Sequence, residues 1–151
     1  MLPCRRCDRN SDTENDTQLI YGDVLRRAIA LCYITPRDYL SDPEFADLYR
    51  YMSEGEPPVD DRAFRAVLVR MDSYYIDEND GVLFNHVRGM RVCVPIKYQS
   101  LAVDIAHLVY GHPSAEVLHM ILKVMYSFRN LHYLCRFIAF TCPLCLSLGC
   151  I

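Results

Sequence analysis

Residues 107–145 decide the fold, and they read HLVYGHPSAEVLHMILKVMYSFRNLHYLCRFIAFTCPLC. Two histidines open this stretch and a Cys-x-x-Cys pair closes it, with 29 residues between the second histidine and the first cysteine. A structural zinc ion takes four nitrogen or sulfur donors in a closed tetrahedron, and two close pairs separated by a folded segment supply them. The sequence therefore predicts a Zn²⁺ site made of His107, His112, Cys142 and Cys145.

A helix that ends between the two histidines would bring them together. Gly111 suits the left-handed residue that ends a helix, and Pro113 forbids its continuation. We therefore expect His112 to turn back beside His107. The residues that follow are numerous enough for two helices that leave and return, so the cysteine pair is expected to reach the same end.

Cap residues and apolar spacing predict the helices of this part of the chain. Ser114 and Asn130 are expected to cap the two helices that lie between the metal pairs. After Pro95, apolar residues recur at three- and four-residue steps, which predicts a further helix. Its buried stripe is expected to consist of Leu101, Ile105, Leu108 and Val109.

The remainder of the chain divides into three parts. Residues 1–17 have almost no apolar side chains and are predicted to be a disordered leader. Helical spacing and acidic residues mark 18–72 as an acidic helical extension, and β-forming residues around an Asp-Gly turn predict a hairpin or meander over 73–94. Residues 95–148 then form the zinc domain. The expected fold is mainly α: a zinc-stabilised three-helix domain preceded by a small β hairpin and an acidic helical extension.

Charge is unevenly distributed along the chain. The net charge is −3, but residues 86–151 carry six basic and two acidic side chains, a net +4, which leaves −7 for residues 1–85. A basic C-terminal part could meet phosphates, and the candidate nucleic-acid contacts are Lys97, Lys123, Arg129 and Arg136. The alternative is that a difference of this size between two segments arises by chance.

The other cysteines and histidines have simpler interpretations. Cys4 and Cys7 form half of a metal site at best and are expected to be exposed thiols. Cys135 falls on an apolar stripe and is expected in the core. His119 and His132 are expected on exposed helix faces.

Composition excludes several classes of protein. The chain has no run of 18 uncharged apolar residues and its first twenty residues are polar, so we expect no membrane span and an intracellular location, nuclear or cytoplasmic. A fully ligated zinc ion has no open position for water, and no nucleophile–base or carboxylate pair stands out. The sequence therefore favours a binding protein without a small-molecule substrate over an enzyme.

The residues from Val94 to Leu148 resemble the zinc-binding N-terminal domain of retroviral and retrotransposon integrases, especially the Ty3/gypsy and BEL/Pao types. The hairpin Asp80–Phe84 resembles the segment between the RNase H and integrase parts of such polyproteins. The matching pieces are Val94-Pro95, His107, Gly111-His112-Pro113, Tyr126–Phe128, Leu131 and Cys142–Cys145. Phe128 stands where the family usually has Trp. This resemblance implies the same four metal ligands in a three-helix HHCC domain.

The resemblance also implies a function without catalysis. Integrase catalysis needs a separate core in which three carboxylates bind two metal ions, but only six residues follow Cys145 and none is acidic. The implied function is a retroelement-derived module that mediates protein association, with itself or with a partner, or assembly on nucleic acid. Direct DNA or RNA binding through the basic residues is the alternative. Four aromatic residues are spread over more than one helix face, so some are expected at an interface: Tyr126, Phe128, Tyr133 and Phe137.

Overall fold

The computed structural model describes residues 34–149 of the chain. The predicted leader, the first part of the acidic extension, and Cys4 and Cys7 lie outside these residues. Among the residues described, no helix combines the length and the apolar character needed to cross a membrane.

The described chain is mainly helical, as predicted, with a small sheet between two helical groups. The helices are α1 (Pro36–Leu40), α2 (Ala46–Glu54), α3 (Asp61–Arg70), α4 (Ile96–Val109), α5 (Ala115–Leu122), α6 (Leu131–Thr141) and α7 (Pro143–Leu148). The strands are β1 (Tyr74–Ile76), β2 (Leu83–Asn85), β3 (Arg91–Cys93) and β4 (Tyr126–Ser127), and a 3₁₀ turn, Met71–Ser73, joins α3 to β1.

The sheet has the order β1-β2-β3-β4. The first three strands form the predicted antiparallel meander, with Tyr75 opposite Phe84 and Phe84 opposite Val92. The sequence did not predict β4, which pairs parallel to β3 with Val92 opposite Tyr126. Two residues are too few for alternation to be recognised. The sheet therefore joins the hairpin region to the segment that contains the predicted metal ligands.

The N-terminal helices pack on this sheet through a buried tyrosine. The Tyr39 hydroxyl donates a hydrogen bond to the Cys93 carbonyl at 2.7 Å and accepts one from the Leu83 N–H at 3.1 Å. Burial raises the pKa of this phenol above its ordinary value, so the hydroxyl stays protonated. Its ring stacks on Tyr49, with ring centroids 4.9 Å apart. These contacts place α1 and α2 against β2 and β3.

A buried carboxylate links the start of α2 to the start of α4. Asp42 is 2 % exposed. Its Oδ1 accepts hydrogen bonds from the backbone N–H groups of Glu44 at 2.8 Å and Phe45 at 3.1 Å, and its Oδ2 accepts from the N–H of Ile96 at 2.5 Å. One side chain thus holds the acidic extension against the helix that leads to the first metal pair.

The apolar stripe predicted for α4 was wrong. Leu101, Leu108 and Val109 are exposed and Ile105 is only half-buried. The buried face consists instead of Gln99, Ala102, Val103, Ala106 and His107. His107 sets this rotation, because its ring must face inward to meet Cys145, and residues three and four positions apart share its face. The larger apolar side chains are therefore left on the surface.

Candidate metal centre

Four side chains from three parts of the chain meet at the end of α4. The ligand atoms of His107, His112, Cys142 and Cys145 all lie within 4.8 Å of one another. His107 and Cys145 are buried, whereas His112 and Cys142 are half-buried. These are the four residues that the sequence predicts as ligands, and we call them the metal centre.

Three nitrogen–sulfur distances among these atoms are close to those of tetrahedral coordination. The Sγ of Cys142 is 3.3 Å from Nδ1 of His112, and the Sγ of Cys145 is 3.4 Å from Nε2 of His107 and 3.7 Å from Nδ1 of His112. With metal–nitrogen bonds of ~2.05 Å and metal–sulfur bonds of ~2.3 Å, a tetrahedron has nitrogen–sulfur edges of about 3.6 Å. The four residues therefore form a pocket in which a metal ion can be held.

The two histidines are brought together by the way α4 ends. The N–H of His112 donates to the carbonyl of His107 at 2.8 Å, and the N–H of Gly111 donates to the carbonyl of Leu108 at 3.2 Å. These are the two bonds of a Schellman motif, with Tyr110 as the C-cap. Gly111 has a φ of 76° and His112 a φ of 58°. His112 turns back beside His107, as predicted. The turn requires positive φ angles at two successive residues, Gly111 and His112, although His112 is not a glycine.

Backbone N–H groups at the start of α7 stabilise the thiolate of Cys142. This residue is the N-cap of α7, with Pro143 at the first helical position. A hydrogen bond from the backbone of Cys145, reinforced by one from Leu144, lowers the pKa of the Cys142 thiol against the opposing effect of desolvation. A metal binds the thiolate form of cysteine, so this lowering favours metal binding near neutral pH.

The environment of His107 favours a neutral imidazole. Desolvation, followed by the neighbouring His112, lowers the pKa of His107. The two rings are 4.8 Å apart between centroids and nearly perpendicular, at 84°. The Nδ1 atom of His107 is buried without a hydrogen-bond partner among the residues described, while Nε2 faces Cys145. A neutral ring with Nε2 aimed at the centre is the form that a metal requires.

The structure does not gather the four candidate nucleic-acid contacts on one element. Lys97 lies in the first turn of α4, with its Nζ 3.7 Å from Asp38. Lys123 is the C-cap of α5. Arg129 donates its backbone N–H to Glu44 at 3.3 Å, and Arg136 lines a surface groove together with Glu116. Lys97 and Arg129 therefore lie close to carboxylates, an arrangement that the sequence did not indicate.

Among residues 34–149, the other histidines and cysteines are not part of the metal centre. Cys135 is fully buried, as predicted. The rings of His119 and His132 stack at 4.3 Å between α5 and α6, and Nε2 of His132 is 3.7 Å from Glu116. His132 is exposed as predicted, whereas His119 is half-buried. Partial burial and the neighbouring His132 lower the pKa of His119, so the neutral form of His119 is favoured.

The chain matches no protein-family model, no curated protein and no solved structure.

Replacement of Gly111 by alanine is expected to weaken metal binding. A Cβ at this position meets no atom within 4 Å, so the cost is conformational, about 1–2 kcal/mol for a left-handed residue other than glycine. Relaxation of that strain would rotate His112 away from the centre. Isothermal titration with Zn²⁺ should show an affinity lower by about five- to thirtyfold, the factors that about 1 and 2 kcal/mol represent.

Gly55→Ala is the matched control for this substitution. Gly55 also has a left-handed φ, 73°, ends a helix, and has open space around the added Cβ, but it lies after α2. Both variants should lose similar stability, and only the first should lose zinc affinity. Equal zinc affinities in the two variants would contradict the role given to Gly111.

Proposed function

We propose that this chain is a non-catalytic zinc-binding module that acts through protein association. One observation carries the proposal: two imidazoles and two thiols stand within 4.8 Å of one another, at separations close to the edges of a zinc tetrahedron. The resemblance to integrase zinc domains supports it, because the same four residues occupy the ligand positions. In this proposal the module is of retroelement origin.

Zinc is the metal that best suits this donor set. Two nitrogens and two sulfurs in a tetrahedron are typical of Zn²⁺, whereas oxygen-rich sites select magnesium, calcium or manganese. The zinc would be held by Nε2 of His107, Nδ1 of His112 and the two thiolates. Bound there, it would supply a structural link between the end of α4 and the junction of α6 with α7.

The donor count argues for a structural role. Catalytic zinc sites keep one coordination position for water or substrate, but four protein ligands fill a tetrahedron. The thiols and imidazoles here would all be occupied by the ion, which leaves none of them as a nucleophile or base. The function is therefore assigned to the surfaces that the metal holds in place.

Protein association is favoured over direct nucleic-acid binding by the surface. Two of the four candidate basic residues, Lys97 and Arg129, lie close to carboxylates, which weakens their attraction for phosphates. Large apolar side chains are exposed on the helices around the metal centre instead, among them Met120, Tyr133 and Phe137. Apolar and aromatic surface of this kind is typical of protein contacts.

The experiment that tests the proposal measures metal, mass and DNA binding on one preparation of the full chain. Elemental analysis should find one zinc per chain. Light scattering should give a mass above that of one chain, insensitive to salt, and a gel shift should find no DNA complex. Absence of zinc would overturn the metal assignment. A monomer that shifts DNA with a steep salt dependence would replace association by direct nucleic-acid binding.

A further inference from the structure

Helix α4 carries an apolar stripe on the side that faces away from the core. The stripe consists of Leu101, Ile105, Leu108 and Val109, whose spacing of i, i+4, i+7 and i+8 places them on one face of the helix. Leu101, Leu108 and Val109 are 40, 57 and 55 % exposed, and Ile105 is half-buried. A face this regular is typical of a helix that packs against another element. We call these four residues the α4 stripe.

The chain contains a segment that suits the α4 stripe. Residues 18–33, which lie outside the described part of the chain, read QLIYGDVLRRAIALCY, and eleven of these sixteen residues are apolar. Helices of this length gain most of their stability when an apolar face packs against a partner. Helical spacing gathers six of the apolar residues on one face: Tyr21, Val24, Leu25, Ala28, Ile29 and Cys32.

The described chain starts beside the first turn of α4. The carboxylate of Asp38 accepts hydrogen bonds from the N–H of Thr35 at 2.9 Å and from its hydroxyl at 3.0 Å. The same carboxylate lies 3.7 Å from Nζ of Lys97, and this ammonium is 5.3 Å from the ring centroid of Tyr98, three residues before the stripe. Tyr33 is therefore only two residues from a point that is held against the start of α4.

We propose that residues 18–33 form a helix that packs antiparallel on the α4 stripe. This inference goes beyond the proposed function, because it concerns a contact within one chain. The direction follows from the entry point: the segment ends at the start of α4, so it covers the stripe only if it runs along α4 in the opposite sense. A helix of 16 residues is about 24 Å long and the 14 residues of α4 span about 21 Å, so the two lengths match.

Charge agrees with the antiparallel direction. Arg26 lies seven residues before Tyr33, and Asp104 lies seven residues after Lys97. Because Tyr33 and Lys97 mark the end at which the segment and α4 meet, an antiparallel pair sets Arg26 and Asp104 at the same level. Asp104 is exposed, so its carboxylate is open to a partner. The attraction of such a surface pair is small, but it favours this direction.

The size of the stripe favours a segment of the same chain over a second copy as its occupant. A standard interface between separate proteins involves about 20–30 residues on each side, whereas the stripe has four. A segment that is tethered close to α4 has an effective concentration on the order of millimolar, so a contact this small can form within the chain. Packing there would attach the N-terminal part of the chain to the helix that contains His107.

The first test measures how fast trypsin cuts the full chain after Arg26 and Arg27, with the fragments identified by mass spectrometry. In the parent, the rate should be at least tenfold lower than in a synthetic peptide of residues 18–33, because the packed helix resists the protease. Leu101→Glu places a carboxylate in the stripe without altering the cleaved sequence. It should raise the rate at least tenfold while the zinc content of the chain stays that of the parent.

Val69→Glu is the matched control, because Val69 is an exposed apolar residue, 82 % accessible, on α3. This variant should be cut at the rate of the parent. A parent chain that is cut as fast as the peptide overturns the proposal. Equal rates in the parent and in Leu101→Glu, or equal acceleration in the Val69 variant, also overturn it.

The second test observes the contact directly, by methyl NOE spectroscopy on the unsubstituted full chain. Counted from the end where Tyr33 meets Lys97, the antiparallel pair should give NOEs from Leu101 to Ile29 and from Leu108 to Val24. In a mixture of labelled and unlabelled chains, isotope-filtered spectra should contain none of these NOEs. NOEs between different chains would assign the stripe to a second copy, and their absence in both samples would leave the stripe unoccupied; either result overturns the proposal.

Discussion

Replacement of His112 by alanine, or of Cys142 by serine, is expected to abolish zinc binding and to melt the C-terminal half of the protein. Structural zinc contributes about 10–16 kcal/mol of apparent binding free energy in zinc-finger peptides, as much as the whole stability of an ordinary domain. Thermal unfolding followed by circular dichroism should show both variants melting far below the parent. Addition of a chelator should lower the melting temperature of the parent protein to that of the two variants.

Two controls separate metal loss from ordinary damage. His86→Ala removes an exposed histidine from the loop between β2 and β3, and Cys135→Ala removes a buried cysteine that lies outside the metal centre. We expect His86→Ala to leave the melting temperature unchanged, and Cys135→Ala to lower the free energy of unfolding by about 1 kcal/mol. Both variants should retain zinc. If the parent melts identically with and without the chelator, the zinc assignment is wrong.

Asp42→Ala is expected to lower the free energy of unfolding, and this is the second largest effect that we predict. The substitution removes the acceptor for three backbone N–H groups, those of Glu44, Phe45 and Ile96. A buried donor left without a partner costs about 1–3 kcal/mol. The bond from Phe45 is buried and the other two are partly buried, so we expect the free energy of unfolding to fall by about 2–3 kcal/mol. Urea unfolding of the zinc-loaded chain measures this loss.

The position of the carboxylate is tested by two further variants. Asp42→Asn keeps an oxygen that can accept from the N–H groups of Glu44 and Phe45, but its amide donor would face the N–H of Ile96. Its free energy of unfolding should therefore lie between those of the parent and of Asp42→Ala. Asp72→Ala removes an exposed carboxylate between α3 and β1, and it should stay within about 0.5 kcal/mol of the parent. A loss below about 1 kcal/mol for Asp42→Ala would show that these bonds contribute little.

The metal centre could be predicted because its determinants are local in the sequence. Gly111 ends a helix whatever surrounds it, and a Cys-x-x-Cys pair turns on itself, so spacing alone placed both pairs of ligands. Ser114 is a cap for the same reason, since its side chain accepts the N–H of Val117 three residues on. The meander β1–β3 was predicted from its Asp-Gly turn.

The features that escaped prediction depend on contacts between distant residues. The buried face of α4 depends on the contact of His107 with Cys145, which lies 38 positions later in the sequence. With His107 turned inward, small residues of α4 face the core and its leucines face outward. The strand β4 exists only because β3 offers it backbone partners. The sequence predicts that some of the four aromatic residues are exposed, and Tyr133 and Phe137 are. It did not indicate that Tyr126 and Phe128 are buried.

The parallel pairing of β3 with β4 makes the intervening helices a crossover connection. The metal ligands flank β4 in the sequence: His107 and His112 precede it, and Cys142 and Cys145 follow it. A metal that joins the two pairs would close a loop with β4 near its middle. The pairing of β3 with β4 closes a second loop that overlaps the first, so each event restricts chain segments that the other must also order. Metal binding would therefore be coupled to the pairing of β4 with β3, and we expect a substitution in β4 to change the affinity for zinc.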